Sequence, residues 1–145
     1  MQTDSDKVLA FLGTQKLAVI ATGGGPERSP ESALVAFTED DQLRLYFQTG
    51  HHTRKAQNLA TNPRVSLVIG LTLGDLVTVQ YEGLAEQLVR AADLDYCKRR
   101  FVAKDSPTTD YYFNHPTAIF FRVTPTWIGC SDYRAAKPVV FELFF

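Results

Sequence analysis

Cysteine is scarce in this chain: Cys97 and Cys130 are the only two in 145 residues. They lie far apart and form neither a disulfide framework nor a Cys-x-x-Cys redox or metal pattern, so the expected home is reducing and cytoplasmic. A surplus of either charge is also missing. Fifteen Lys and Arg against 16 Asp and Glu leave a net charge of -1, which excludes the broad basic field of a general nucleic-acid binder and makes any anion site a local affair. No apolar run approaches the roughly 20 residues of a membrane span. The stretch Met1 to Asp6 is polar and acidic, without the charged-then-apolar order of a secretion signal, so no membrane association is expected. Internal repeats, low-complexity tracts and linkers are absent, and residues 1–145 read as a single domain. With 45% hydrophobic and 21% charged residues, a chain of this length buries roughly two-thirds of its unfolded surface and holds a core without disulfides or a structural metal.

The pattern that is present is mostly strands. Ser5 can cap a first helix striped by Val8, Leu9, Phe11 and Leu12 and ending near Gly13. Leu17 to Thr22 and Ser32 to Thr38 are apolar runs stopped by Gly23-Gly24-Gly25-Pro26 and by Glu39-Asp40-Asp41, both read as hairpin connections. Leu43, Leu45 and Phe47 alternate with Arg44, Tyr46 and Gln48, predicting a strand with one buried face that ends at Thr49-Gly50. From Thr53, Ala56, Leu59 and Ala60 mark one face of a short helix closed by Asn62-Pro63. Val65, Leu67 and Ile69 alternate again, and Val77 to Val89 is long enough for a strand bent near Gly83. Ala91 to Val102 reads as a helix, and Thr117 to Ile128 and Val139 to Phe145 as strands. About seven strands with helices as interruptions predict a mainly β, antiparallel, closed or partly closed barrel with a few short helices.

Chemistry concentrates in Phe47-Gln48-Thr49-Gly50-His51-His52-Thr53-Arg54-Lys55, where a strand end feeds a helix whose first turn carries a hydroxyl, a guanidinium and an ammonium. Such a helix start can bind a phosphate through backbone N–H groups, Arg54 and Lys55. The simpler alternative is that Thr53 caps the helix and both cations are solvated. His51 and His52 lack carboxylate or cysteine neighbours at ligand spacing, so no metal site is expected, and His52 is placed in the phosphate pocket instead. Gly23-Gly24-Gly25 is not followed by Lys-Ser/Thr and reads as a turn. Lys98-Arg99-Arg100 reads as a solvated helix face, Asp110-Tyr111-Tyr112-Phe113 as packing, and both cysteines as inert thiols. No nucleophile-elbow sequence is present.

Phe47-x-Thr49, Thr53-Arg54-Lys55, Asn58-Leu59 and Asn62-Pro63-Arg64-Val65-Ser66-Leu67, with Tyr81-Glu82-Gly83 further on, resemble the signature of the pyridoxamine 5'-phosphate oxidase-like, FMN-binding split-barrel family. The resemblance runs from about Leu17 onward and extends to Pro125-Thr126-Trp127-Ile128 and Ser131-Asp132-Tyr133. It implies a split barrel and a homodimer with FMN held between subunits. Thr53, Arg54 and Lys55 match the triplet that grips the FMN phosphate, and Gln48-Thr49 matches a pair near the flavin. Ser32, Ala33, Leu34 and Val35 open the strand, reaching Phe37, whose backbone runs beside the ring. Thr78 falls where the oxidase has a Gln from the partner subunit, and Trp127 and Tyr133 are alternative aromatic walls. Two departures matter: the oxidase's strand begins with Arg and ends with Lys where this chain has Ser32 and Phe37, and Gly129 to Arg134 contains no Arg-x-His substrate motif. The implied activity is therefore an FMN-dependent oxidoreductase acting on an unidentified small molecule with an electron donor. The alternatives are a non-catalytic flavin, deazaflavin or haem binding module and, less favoured, a true pyridoxamine phosphate oxidase.

Overall fold

A computed structural model of the chain describes residues 1–24, 29–106 and 113–145. Its strands are β1 (Leu17–Gly23), β2 (Pro30–Glu39), β3 (Leu45–Gly50), β4 (Arg64–Ile69), β5 (Val77–Gln87), β6 (Ala118–Asp132) and β7 (Val139–Phe144). The helices are α1 (Asp4–Gly13), α2 (Arg54–Leu59) and α3 (Ala91–Ala103), with a 3-10 turn at Leu73–Asp75. The strands form one antiparallel sheet in the order β3-β2-β1-β4-β5-β6-β7, and pairing of β3 with β6 closes the first six into a barrel, leaving β7 outside it. This is the mainly β barrel that the sequence predicts.

Alternation builds the interior. Val65, Leu67 and Ile69 of β4 point inward while Arg64, Ser66 and Val68 face out, and Val77, Val79 and Tyr81 of β5 continue the inner layer. Ile20, Phe37, Phe47, Val123 and Ile128 complete it, together with Val8 and Leu12 of α1, which plugs one end. Burying each such side chain is worth about 1.5–3 kcal/mol. The hydroxyl of Tyr81 lies against two carbonyls, Leu43 O at 2.8 Å and Val123 O at 3.1 Å.

Several boundaries differ from the sequence reading. Thr3, not Ser5, caps α1: its hydroxyl accepts from Asp6 N at 3.1 Å while the Asp6 carboxylate accepts from Thr3 N at 2.9 Å. That reciprocal box needs a carboxylate three residues after the cap, which Ser5 lacks. The third strand begins at Leu45 rather than Leu43 and is buried at every position, not on one face. Leu43 sits in a turn with φ 63°. The Asp40 carboxylate ties that turn, accepting from Gln42 N, Arg44 N, Arg44 Nε and Tyr46 OH. The second face of β3 is covered by α3, where Tyr46, Leu88, Cys97, Phe101 and Phe120 make a smaller core.

Lys98-Arg99-Arg100 is not a solvated face. Arg100 Nε donates to Glu39 O at 2.9 Å and Lys98 Nζ lies 5.6 Å from the Phe120 ring centre, whereas Arg99 pairs with exposed Asp95. Next to them, buried Lys104 pairs with the Glu39 carboxylate, donates to Leu12 O at 3.0 Å and stands 3.9 Å from the ring centre of Phe37. In the short helix, Ala60 is exposed and Asn58 is the buried residue beside Ala56 and Leu59. Of the aromatic run, residues 110–112 lie outside the described residues, as do Gly25 and Pro26, while Phe113 packs against Phe101 and Phe120. Burial raises both cysteine thiols, that of Cys97 to about 12, so neither ionises at neutral pH.

Gly83 has a packing reason. The β5–β6 register shifts between Glu82 and Gly83, and a Cβ at Gly83 would stand 2.5 Å from Thr124 O. Backbone cannot yield as a side-chain tip does, so Gly83→Ala lowers stability by about 2 kcal/mol or more, measured by urea unfolding. Burial raises the pKa of Tyr81, and burial with the Asp40 hydrogen bond raises that of Tyr46. Above about pH 10 the unfolded chain loses these protons and the folded chain keeps them, so their contribution is complete below pH 10 and is lost as pH rises further. The urea midpoint therefore falls above pH 10, and Tyr81→Phe, although less stable at neutral pH, falls less steeply; an unchanged slope contradicts this.

Candidate functional site where β2 and β3 part

The barrel carries a seam. β2 pairs with β1 from Pro30 to Ala36, but with β3 only through Phe37, Thr38 and Glu39. Beyond Phe47, β3 continues its pairing with β6 through Gln48, Thr49 and Gly50. Among the described residues, the side of β2 turned away from β1 is thus without a strand over residues 30–36. Phe37 N donates to Lys16 O on the β1 side, and the antiparallel alternation then turns the N–H and C=O groups of Ser32, Leu34 and Ala36 into the gap.

Across this seam lies α2, placed by its cap. The Thr53 hydroxyl accepts from Ala56 N at 3.3 Å and lies 3.0 Å from Gly50 O and 2.9 Å from the Thr49 hydroxyl. Thr53 is therefore occupied as a cap and a link to β3. From the other side of α2, buried Asn58 donates to Thr22 Oγ1 of β1 at 2.9 Å and to Glu31 Oε1 of β2 at 2.8 Å. Glu31 also pairs with Arg54, Oε2 to Nη1, at 2.6 Å. Glu31, Ser32, Ala33, Arg54 and Lys55 line one cavity of about 110 Å³. Lys55 is half-buried there; desolvation lowers its pKa, and no carboxylate among the described residues pairs with it.

The structure brings Ser32, Ala33, Arg54 and Lys55 together, with Gln48 and Thr49 buried at the end of β3. Leu34 is exposed on the outer sheet face and Val35 is buried in the core. His52 is exposed, its ring turned over Gly50, where an added Cβ would come within 2.8 Å of it. Thr78, Trp127 and Tyr133 do not line this cavity. Thr78 is paired with Ser131, the Trp127 indole lies over Gly129, and half-exposed Tyr133 donates its N–H to Leu76 O. Phe37 is fully buried under Lys104 and reaches no cleft.

Glu31 and the role of Asn58 are absent from the sequence reading. One signal was available: an Asn on the buried side of a short helix must find hydrogen-bond partners, and Thr and Glu supply them here. A larger hollow of about 600 Å³ lies over the outer faces of β1, β4 and β5, lined in part by Arg64, Ser66, Glu82 and Thr126. It is separate from the cation cluster.

The family model for pyridoxamine 5'-phosphate oxidase matches residues 5–129. The UPF0306 protein of Yersinia pseudotuberculosis is 29% identical over 111 residues, 72% of this chain and 75% of that protein. Among solved structures, General Stress Protein 26 from Bacillus anthracis has a TM-score of 0.72 at 21% identity, covering 96% of this chain and 98% of its own. A heme binding protein from Mycobacterium smegmatis has a TM-score of 0.79 at 14% identity, covering 97% of this chain and 58% of its own. At such identities these structures speak for the split-barrel fold alone. The family match runs from α1 across the seam and its cation cluster into β6, and on that extent the chain belongs to the pyridoxamine 5'-phosphate oxidase family.

Proposed function

We propose that this protein holds FMN in the seam between β2 and β3, as a homodimer, and works as a flavin-dependent oxidoreductase on a small molecule. The observation that carries this reading is Lys55, half-buried without a carboxylate partner among the described residues, beside the open edge of β2. An ammonium taken partly out of water gains when a phosphate replaces the lost solvation. The N–H and C=O groups of Ser32, Leu34 and Ala36 suit the alternating acceptors and donor on a flavin's pyrimidine edge. Gln48 and Thr49 are the donors nearest that edge in the sequence of β3, and Thr53 holds the Thr49 hydroxyl in place. When bound, the flavin supplies the hydride or electron transfer, and the chain supplies grip, orientation and field.

A cavity of about 110 Å³ suits a phosphate and is far below the roughly 300 Å³ and more of sites that enclose whole cofactors. The ring therefore needs a second wall. Leu34, Val19 and Val68 form one cross-strand row on the outer face, continued by Gln80 and by Gly129 under the Trp127 indole. Leu34 and Val68 are 59% and 41% exposed. Covering this row with a second copy supports the homodimer, and Thr78, Trp127 and Tyr133 then belong to the other subunit's site. Ser32 and buried Phe37 leave out the two basic residues of the oxidase strand, which argues against vitamin-phosphate oxidation. The second reading, a binding module without turnover, is favoured for haem by the exposed imidazoles of His51 and His52 beside the seam. A cytoplasmic setting fits two buried, protonated thiols.

Purified protein that is yellow, releases FMN on denaturation and is bleached by a nicotinamide donor supports the leading reading. A Soret band, or a flavin that no donor reduces, favours the second. In fluorescence titrations with FMN, Arg54→Ala combined with Lys55→Ala weakens binding by at least about 2 kcal/mol, with Lys55 the larger share because Arg54 is already paired. Val68→Asp converts the dimer to monomer in light scattering and abolishes FMN binding with it; a dimer that persists removes this face from the interface.

A further inference from the structure

We propose that Glu31 limits the negative charge this cleft accepts, weakening its hold on a doubly charged phosphate group. The inference rests on the phosphate reading of the seam given above. Glu31 shares the cavity wall with Arg54 and Lys55, and its side chain is only 11% exposed against 72% for Arg54. Both carboxylate oxygens are held: Oε2 by Arg54 Nη1 at 2.6 Å, and Oε1 by Asn58 Nδ2 at 2.8 Å, which also reaches Thr22. Glu31 sits on β2 opposite Thr22 of β1, so its backbone is fixed by the barrel. The carboxylate cannot turn out to water when an anion enters. Arg54, long and exposed, is the partner that moves or bridges.

The charges then decide the outcome. Glu31, Arg54 and Lys55 contribute -1, +1 and +1 to the cavity, a formal total of +1. A phosphate monoester at neutral pH carries about -1.5 to -2. Lys55 answers one of those charges. The rest meets a fixed carboxylate whose own counter-charge has to be shared with the ligand. In a partly solvated recess, a like charge at a few ångströms weakens binding by about an order of magnitude. The Glu31–Arg54 pair itself, exposed on its arginine side, offers little to offset this. Glu31 thereby tunes specificity without touching the flavin ring.

Glu31→Gln keeps the shape and the acceptor for Asn58 and removes the charge. Wild type and variant are titrated with FMN and with riboflavin, which has the same ring and no phosphate, following flavin fluorescence, with thermal melting to establish that both are folded. The variant binds FMN about tenfold more tightly and riboflavin unchanged. If Glu31→Gln does not fold, Glu31→Ala gives the same comparison. FMN affinity that is unchanged or weaker in the variant overturns the role of Glu31 and leaves the flavin reading standing. Equal tightening of both ligands overturns it too, because the effect then lies outside the phosphate. If neither flavin binds either protein, the flavin reading fails and this inference falls with it.

Discussion

Because β1 holds β2 from Pro30 to Ala36 while β3 meets it only from Phe37 to Glu39, the barrel closes through β3 and β6 with a seam left in its wall. A strand cannot keep full ladders with two neighbours that diverge, and the unpaired edge is the cost. Buried or half-covered backbone groups need partners, and a length of exposed edge invites something to lie along it. The seam lets α2 settle across the gap, brings Glu31 within reach of Arg54, and turns the backbone of Ser32, Leu34 and Ala36 outward. Each of these contacts disappears if β2 and β3 zip to their ends.

The end of β2 that does pair with β3 is also pinned by buried charges. Glu39 gathers Lys104 and Arg100 of the α3 region, and Lys104 covers the Phe37 ring and reaches Leu12 of α1. Burial pulls the Lys104 pKa down even though the Glu39 partner raises it, so this ammonium depends on its carboxylate. Removing one member leaves the other buried and unmatched, typically costing about 3–5 kcal/mol. Rigidity at Phe37 to Glu39 and openness from Pro30 to Ala36 therefore belong to the same strand. The open edge of β2 is thus anchored from one end by a buried ion cluster.

Much of this architecture was legible in the residues. Period-2 alternation in Val65-Leu67-Ile69 gives β4 its faces, the Thr53 cap starts α2, and Gly83 marks the bend in β5 where the register shifts. The family signature around Thr53-Arg54-Lys55 and Asn62-Pro63 implies the split barrel. Other features were illegible for identifiable reasons. Tyr46 and Gln48 look like a solvent face because their side chains are polar, yet α3 arrives from about fifty residues away to bury Tyr46 with Cys97 and Phe101. Lys98-Arg99-Arg100 looks like a solvated triplet because the carboxylate that takes Arg100, Glu39, is on a distant strand. Glu31 carried no local signal, since its meaning depends on Arg54 and Asn58 lying across the seam.

By itself, the sequence determined which segments are strands and helices, that they form a mainly β antiparallel barrel, and that a hydroxyl, a guanidinium and an ammonium stand together at one helix start. Those are local facts, set by side-chain period, capping and chain order. The tertiary structure decided which of the cations is already neutralised, which face of β3 is covered, and where the backbone of β2 is left unpaired. These depend on long-range pairing, because charge, burial and hydrogen-bond satisfaction are properties of neighbours in space. Arg54 and Lys55 are adjacent in the chain and equally basic in the sequence; only the fold places Glu31 against one and leaves the other half-buried with no carboxylate partner among the described residues.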